Sequence, residues 1–248
     1  MVVVRFDRPV RRRWFLAVAF FSSLLLVRGM VELTGPALPA TGAVLEPLRQ
    51  VATAEKAVVL TVNIQWGRSV PQRVLDELAE LEVQATFFVS GPWAQANAGL
   101  IQSMRQRGHD IGTLGHEAIH LSAAEPQVIR RELQASLRAI TAAGAPVPRY
   151  FRPPGGVYDH QLLATAQALG LETVLWSVDG RDWLAASADV VVERILAEAK
   201  PGSIILLHAS DHNELAPLVL PPLVTGLHDR GYRFLPLSAA LAEVSRRP

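Results

Sequence analysis

The chain has 248 residues, 50% of them hydrophobic and 19% charged, with 24 Lys and Arg against 23 Asp and Glu for a formal net charge of +1. This composition excludes wholesale disorder and allows one large domain with a sizeable core. There is no basic excess of the kind that binds nucleic acid, and the absence of cysteine removes disulfides, thiolate nucleophiles, Cys-ligated zinc and a lipoprotein anchor together.

At the N-terminus, Arg5, Arg8, Arg11, Arg12 and Arg13 precede an apolar run over residues 14–27. A basic flank before an apolar run reads as a secretory signal or signal anchor whose basic end stays in the cytoplasm. The run alone falls short of the ~20 residues a spanning helix needs; carried past Arg28 to Leu33 it reaches that length. Residues 1–33 are therefore read as a basic tail and membrane helix, placing the rest outside the membrane. Ala37 and Ala40 leave signal cleavage and secretion as the alternative. Residues 34–55, rich in Gly, Pro, Ala and Thr, read as a linker.

Residues 56–248 form the predicted domain. Apolar runs at 58–62, 85–89, 110–113, 150–151, 172–176, 203–207 and 232–235 alternate with amphipathic segments at 71–81, 93–107, 126–143, 160–169, 188–199 and 215–230. A last helix is predicted over 237–245. Strands alternating with helices mean βαβ units and a parallel sheet. Gly108, Gly170 and Gly231 stand between helix and strand, where C-caps belong. The predicted class is α/β: a distorted (β/α) barrel of seven strands behind an N-terminal membrane helix, with a doubly wound open sheet as the alternative. No glycine-rich phosphate loop follows any strand.

In such a barrel, chemistry sits where strands end. The polar residues at the predicted strand ends are Asn63 and Gln65, His116, Arg152, Asp179 and Asp182, and His208. His116-Glu117-Ala118-Ile119-His120 also spells the HExxH motif of zinc metalloproteases, which requires a helix and a third ligand. His109 and His228, beside predicted helix ends, read as surface residues near helix C-termini.

Several of these strand ends carry longer motifs. FFVSGPWA at 87–94, GHDIG at 108–112, FRPPGG at 151–156, WSVDGRDW at 176–183 and PGSIILLHAS at 201–210 together resemble the polysaccharide deacetylase family (NodB homology, carbohydrate esterase family 4). The phrasing Trp66-Gly67 and Gly91-Pro92-Trp93 resembles the subgroup associated with sporulation and cell-wall modification. The resemblance implies hydrolysis of acetamides on N-acetylated wall polysaccharide such as peptidoglycan, with an Asp-His-His triad holding zinc or another divalent ion. The metal activates water, an Asp base takes its proton, an Arg orients the base, and a His protonates the leaving amine.

Carried over residue by residue, Arg152 stands at the orienting arginine, His208 at the general acid and Asp182 at the carboxylate that tunes it. Gly155 keeps the backbone N–H that serves as oxyanion donor, and Trp183 is a candidate to contact sugar. The first motif departs: Asn63 occupies the base position, and the metal carboxylate falls on Ile64 or Gln65. The second departs too. An ungapped alignment puts Leu114 and Ala118 at the histidine ligand positions, whereas a two-residue slip would recruit His116 and His120 as metal ligands. Three readings follow: an active deacetylase with a rearranged metal site, a catalytically inactive glycan-binding or scaffolding member without metal, and a metal-free hydrolase built on His208, Asp182 and Arg152. The metalloprotease is a remote fourth.

Overall fold

The computed structural model describes residues 45–246. The predicted membrane helix and most of the predicted linker lie outside the described residues. Among those described, no helix is long and apolar enough to cross a membrane.

The strands are β1 (Ala57–Ile64), β2 (Thr86–Val89), β3 (Asp110–Thr113), β4 (Tyr150–Phe151), β5 (Glu172–Thr173), β6 (Val178–Asp179), β7 (Ile204–His208) and β8 (Arg233–Phe234). The helices are α1 (Ser69–Glu80), α2 (Gly91–Ala96), α3 (Ala98–Gln106), α4 (Pro126–Ala142), α5 (His160–Ala168), α6 (Ala188–Glu198), α7 (Leu215–Asp229) and α8 (Leu237–Ser245). All strand pairings are parallel, in the order β5-β4-β3-β2-β1-β7-β6, and β8 pairs with the start of β1. β1 is the pivot, a nearly continuous apolar run of the kind parallel sheets bury on both faces.

Parity along the strands separates two cores. Val58, Leu60, Val62 and Ile64 pack outward with Phe87, Val89, Ile205 and Leu207 against the helices. Val59, Phe88, Leu114, Val174 and Ile204 face inward and meet Leu237 and Ala240 of α8. On this parity Asn63 falls on the inner face, and its register partner across β1 and β7 is His208.

The barrel expectation holds as a curled parallel sheet that stays open between β5 and β6. The gap is spanned by residues read from sequence as the end of the linker: Leu48 bonds both Thr173 and Leu175, Val51 donates to the Gly202 carbonyl, and Val51 is buried. Leu48 and Val51, within the segment read as linker, thus join the sheet and supply apolar surface that the Gly/Pro-rich composition around them conceals. Two further corrections are local. The helix predicted over 93–107 is two helices that meet at Asn97, whose side-chain amide donates to the Trp93 carbonyl and competes with the helical ladder. The strand predicted over 172–176 stops at Thr173, where Leu48 takes over the pairing, and the chain restarts as β6, giving eight strands among the described residues.

His109 departs from expectation as well. It is buried, its Nδ1 accepts the Ala85 N–H at 3.0 Å, and its ring meets Phe87 edge-on. Burial, with a smaller push from Arg107, lowers its pKa from 6.5 to about 4, so it is a neutral core residue rather than a surface cap.

Candidate active site at the barrel mouth

The C-terminal ends of β1, β6 and β7 and the turn after β4 converge on one cleft of about 290 Å³ lined by Asn63, Gln65, Trp66, Pro154, Gly155, Trp183, His208, Ser210 and Asn213. Of the predicted site residues, Asn63, Gly155, Trp183 and His208 line it directly, and Arg152 and Asp182 support it from behind.

His208 and Asp182 form one unit. Asp182, 1% exposed, accepts from the His208 backbone N–H at 2.8 Å and from its Nδ1 at 2.9 Å. Asn213 donates to the same carboxylate at 3.2 Å. With Nδ1 held by the carboxylate, Nε2 is the ring nitrogen left to serve the cleft. A carboxylate fixed by three donors holds the imidazole in one orientation, as a general acid needs. The sequence alone does not mark Asn213, which lies five residues beyond His208 with no motif of its own.

Arg152 is fully buried, between the rings of Phe88 and Trp176, with Cζ 4.0 and 5.5 Å from their centroids. It donates to the carbonyls of Val174 at 3.2 Å and Leu175 at 3.0 Å, and to Asn63 Oδ1 at 2.9 Å. Each of these acceptors is neutral. Burial pushes the guanidinium down to about 9, and Asp179 offsets part of that. Arginine has donors only, so the Asn63 amide must turn its oxygen to Arg152. Its NH2 then faces the cleft. Where a catalytic base would present an acceptor, this chain presents a donor.

The metal half is filled by apolar side chains. Ile64 is fully buried in the core between sheet and helices. Leu114 is buried in the barrel interior and Ala118 packs on the same cluster, so these two residues occupy the inner positions that the ungapped alignment gives them. His116 and His120 lie elsewhere. His116 packs against Gly91, with Nδ1 buried and unpartnered and Nε2 3.6 Å from Glu117. The His120 ring sits against Gly155, where a Cβ would come within 2.8 Å of Cε1. Gly155 also has φ of +66°, so both backbone and space explain glycine there. Among the described residues no three His, Cys, Asp or Glu side chains converge as a metal site. The residues present at the family's metal positions do not fit a divalent ion, and His116 and His120 stand apart, the first beside Gly91 and the second, exposed, beside Gly155. The HExxH reading falls as well: residues 114–121 contain no helix, and Ala118 has φ of +52°.

Trp93 and Trp176 have packing roles. Trp93 is buried, with Nε1 donating to the Gly67 carbonyl at 2.6 Å, and Trp176 lies over Arg152 and against Gly156.

Comparison with known proteins agrees with this architecture. Residues 50–174 match the family described as Polysaccharide deacetylase. A chitooligosaccharide deacetylase from Sinorhizobium fredii is 37% identical over 194 residues, covering 73% of this chain and 89% of that protein. A peptidoglycan-N-acetylglucosamine deacetylase from Listeria monocytogenes is 30% identical over 192 residues, covering 77% of this chain and 40% of that much longer protein. Among solved structures, a carbohydrate esterase family 4 pseudoenzyme from Bacillus anthracis superposes with a TM-score of 0.74 at 27% identity, covering 79% of this chain and 69% of that one. A mutant of that pseudoenzyme with restored enzymatic activity superposes equally well. Matched over half its length by the family pattern and over most of its domain by the rhizobial deacetylase, this chain belongs to the polysaccharide deacetylase family.

Proposed function

We propose that this chain acts on N-acetylated cell-wall glycan through the cleft at the barrel mouth, with a degenerate metal site and low hydrolytic turnover. The observation that carries this reading is the contrast inside one cleft. His208 and Asp182 keep the geometry of a general acid and its carboxylate, while Asn63, tied by its oxygen to Arg152, cannot take a proton from water. Loss of the base alone costs about two to four orders of magnitude in rate. In this reading His208 donates from Nε2 to the leaving amine, and the Gly155 N–H meets the acetyl oxygen.

The Asn63 amide favours a second reading, a glycan binder without turnover. Its NH2, turned to the cleft, is a donor suited to an acetamide carbonyl. Held by that donor and by Gly155, the acetyl group would be bound intact. The relation to a family pseudoenzyme supports this reading.

Acetate release from N-acetylglucosamine oligomers by the full-length chain tests the two together. Slow release abolished by His208→Ala supports the first reading, and binding without release supports the second. Release at the rate of an intact family deacetylase would sink both.

The basic flank and apolar run of residues 1–33 support a location outside the cytoplasm, with the domain held at the membrane. A cleaved signal would instead release the domain. Such tethering suits a wall polymer better than a diffusing metabolite. Membrane fractionation with and without alkaline wash separates the two.

A further inference from the structure

Two tryptophans at the barrel mouth are left in solvent. Trp66 is 66% exposed and Trp183 60% exposed, and both line the cleft. Exposed indoles forgo burial of a large apolar surface, and paired on one cleft they mark a ligand surface. Their placement follows from the sheet. β1 and β6 are the two neighbours of β7, so the turns carrying Trp66 and Trp183 flank the strand end that carries His208.

The Trp66 turn is held more firmly than an exposed loop requires. Asp211 accepts from the backbone N–H of Arg68 at 2.9 Å and of Val70 at 2.8 Å, and Trp93 Nε1 holds the Gly67 carbonyl. Gly67 has φ of +83°, and a Cβ there would strike the Asp211 carboxylate, so the turn and the aspartate are fitted to each other. Burial would raise the Asp211 pKa, but the backbone donors Val70, Arg68 and Ser69, with His212, outweigh it and hold the carboxylate below its ordinary range.

The cleft between the indoles carries amide and hydroxyl groups from Asn63, Gln65, Ser210 and Asn213. Its volume is at the low end for a small-molecule site. It takes one ring of a polymer, and the neighbouring rings must run out over the rim. The chemistry that matches is a pyranose, with an apolar C–H face for indoles and hydroxyl and acetamide groups for the polar lining.

We propose that Trp66 and Trp183 form a two-sided indole platform that grips successive pyranose rings of an N-acetylated glycan, and that Asp211 is the positioning residue that fixes Trp66. This rests on the glycan reading above and adds to it which residues carry affinity when the chemistry is impaired.

The test is calorimetric titration of the full-length chain with N-acetylglucosamine tetramer. Trp66→Ala is expected to weaken binding about tenfold, the loss of one stacked ring, with Trp66→Phe recovering part of it. Asp211→Ala is expected to weaken it severalfold while Trp66 is still present. In fluorine NMR of fluorotryptophan-labelled protein, the Trp66 resonance should shift on adding tetramer to the wild type and broaden without shifting in Asp211→Ala. Val147→Ala, at an exposed position ahead of the N-terminal end of β4 and so at the opposite strand ends from the cleft, is the control for general surface effects. Unchanged affinity in Trp66→Ala, with the wild type binding tetramer, overturns the platform and leaves the glycan reading standing. A wild type that binds no tetramer overturns both.

Discussion

The two sides of the barrel mouth are built on the same sheet to different standards of polarity. On the β6–β7 side, Asp182 is buried with three donors and places His208 over the cleft. On the β1–β3 side, the inner and outer positions that would carry carboxylate and imidazole hold Ile64, Leu114 and Ala118, each packed among apolar neighbours. Arg152 spans the two sides. It is buried as if opposite a carboxylate, but bonds three neutral oxygens. Packing has closed over the lost metal half, whereas the acid half is still held by hydrogen bonds that would be costly to leave unmade.

Mutations at each side sharpen that contrast. Arg152→Ala should have the largest effect, about 3–5 kcal/mol of stability lost in denaturant unfolding, because it opens a cavity between Phe88 and Trp176 and strands three acceptors. Asp182→Ala should cost about 2–4 kcal/mol by leaving the His208 and Asn213 donors without their acceptor, and should lower glycan turnover at the same time.

His109 tests the core beneath the site. Its folded pKa is about 4 against 6.5 unfolded, so the unfolded chain binds the proton more readily between those values. Stability should be complete above pH 6.5 and fall by up to about 3 kcal/mol as pH drops toward 4. His109→Gln should flatten that dependence in thermal melts across the window.

Asn63→Asp should stabilise the chain by about 1–2 kcal/mol by giving Arg152 an anionic partner. The new carboxylate would have a depressed pKa, so the gain should be present above about pH 4 and fade as pH falls further. An unchanged or lower melting temperature at pH 7 would mean that Arg152 is already satisfied. His120→Ala, at an exposed position, should have the smallest effect, within about 0.5 kcal/mol.

Much of the fold was legible because β1 and β7 are continuous apolar runs and the glycines after α3, α5 and α7 punctuate the βαβ units. The residues flanking Arg152 were not legible. Phe88 and Trp176 look like ordinary core aromatics, and only the curl of the sheet brings both rings to one guanidinium. Leu48 and Val51 were hidden by the surrounding linker composition. At the site, motif register located Arg152, Asp182 and His208, but the displaced histidines could be judged only from packing. His116 and His120 have a plausible spacing, and the structure puts Leu114 and Ala118 on the inner face instead. Asp211 has no sequence signal at all, since its partners are backbone N–H groups far away in the chain.

Metal content of the purified full-length chain, measured after incubation with zinc and desalting, tests the central contrast most directly. An acid half without a metal half predicts zinc well below one per chain, unchanged in the His116→Ala/His120→Ala variant. One tightly held zinc per chain that disappears in that variant would contradict it.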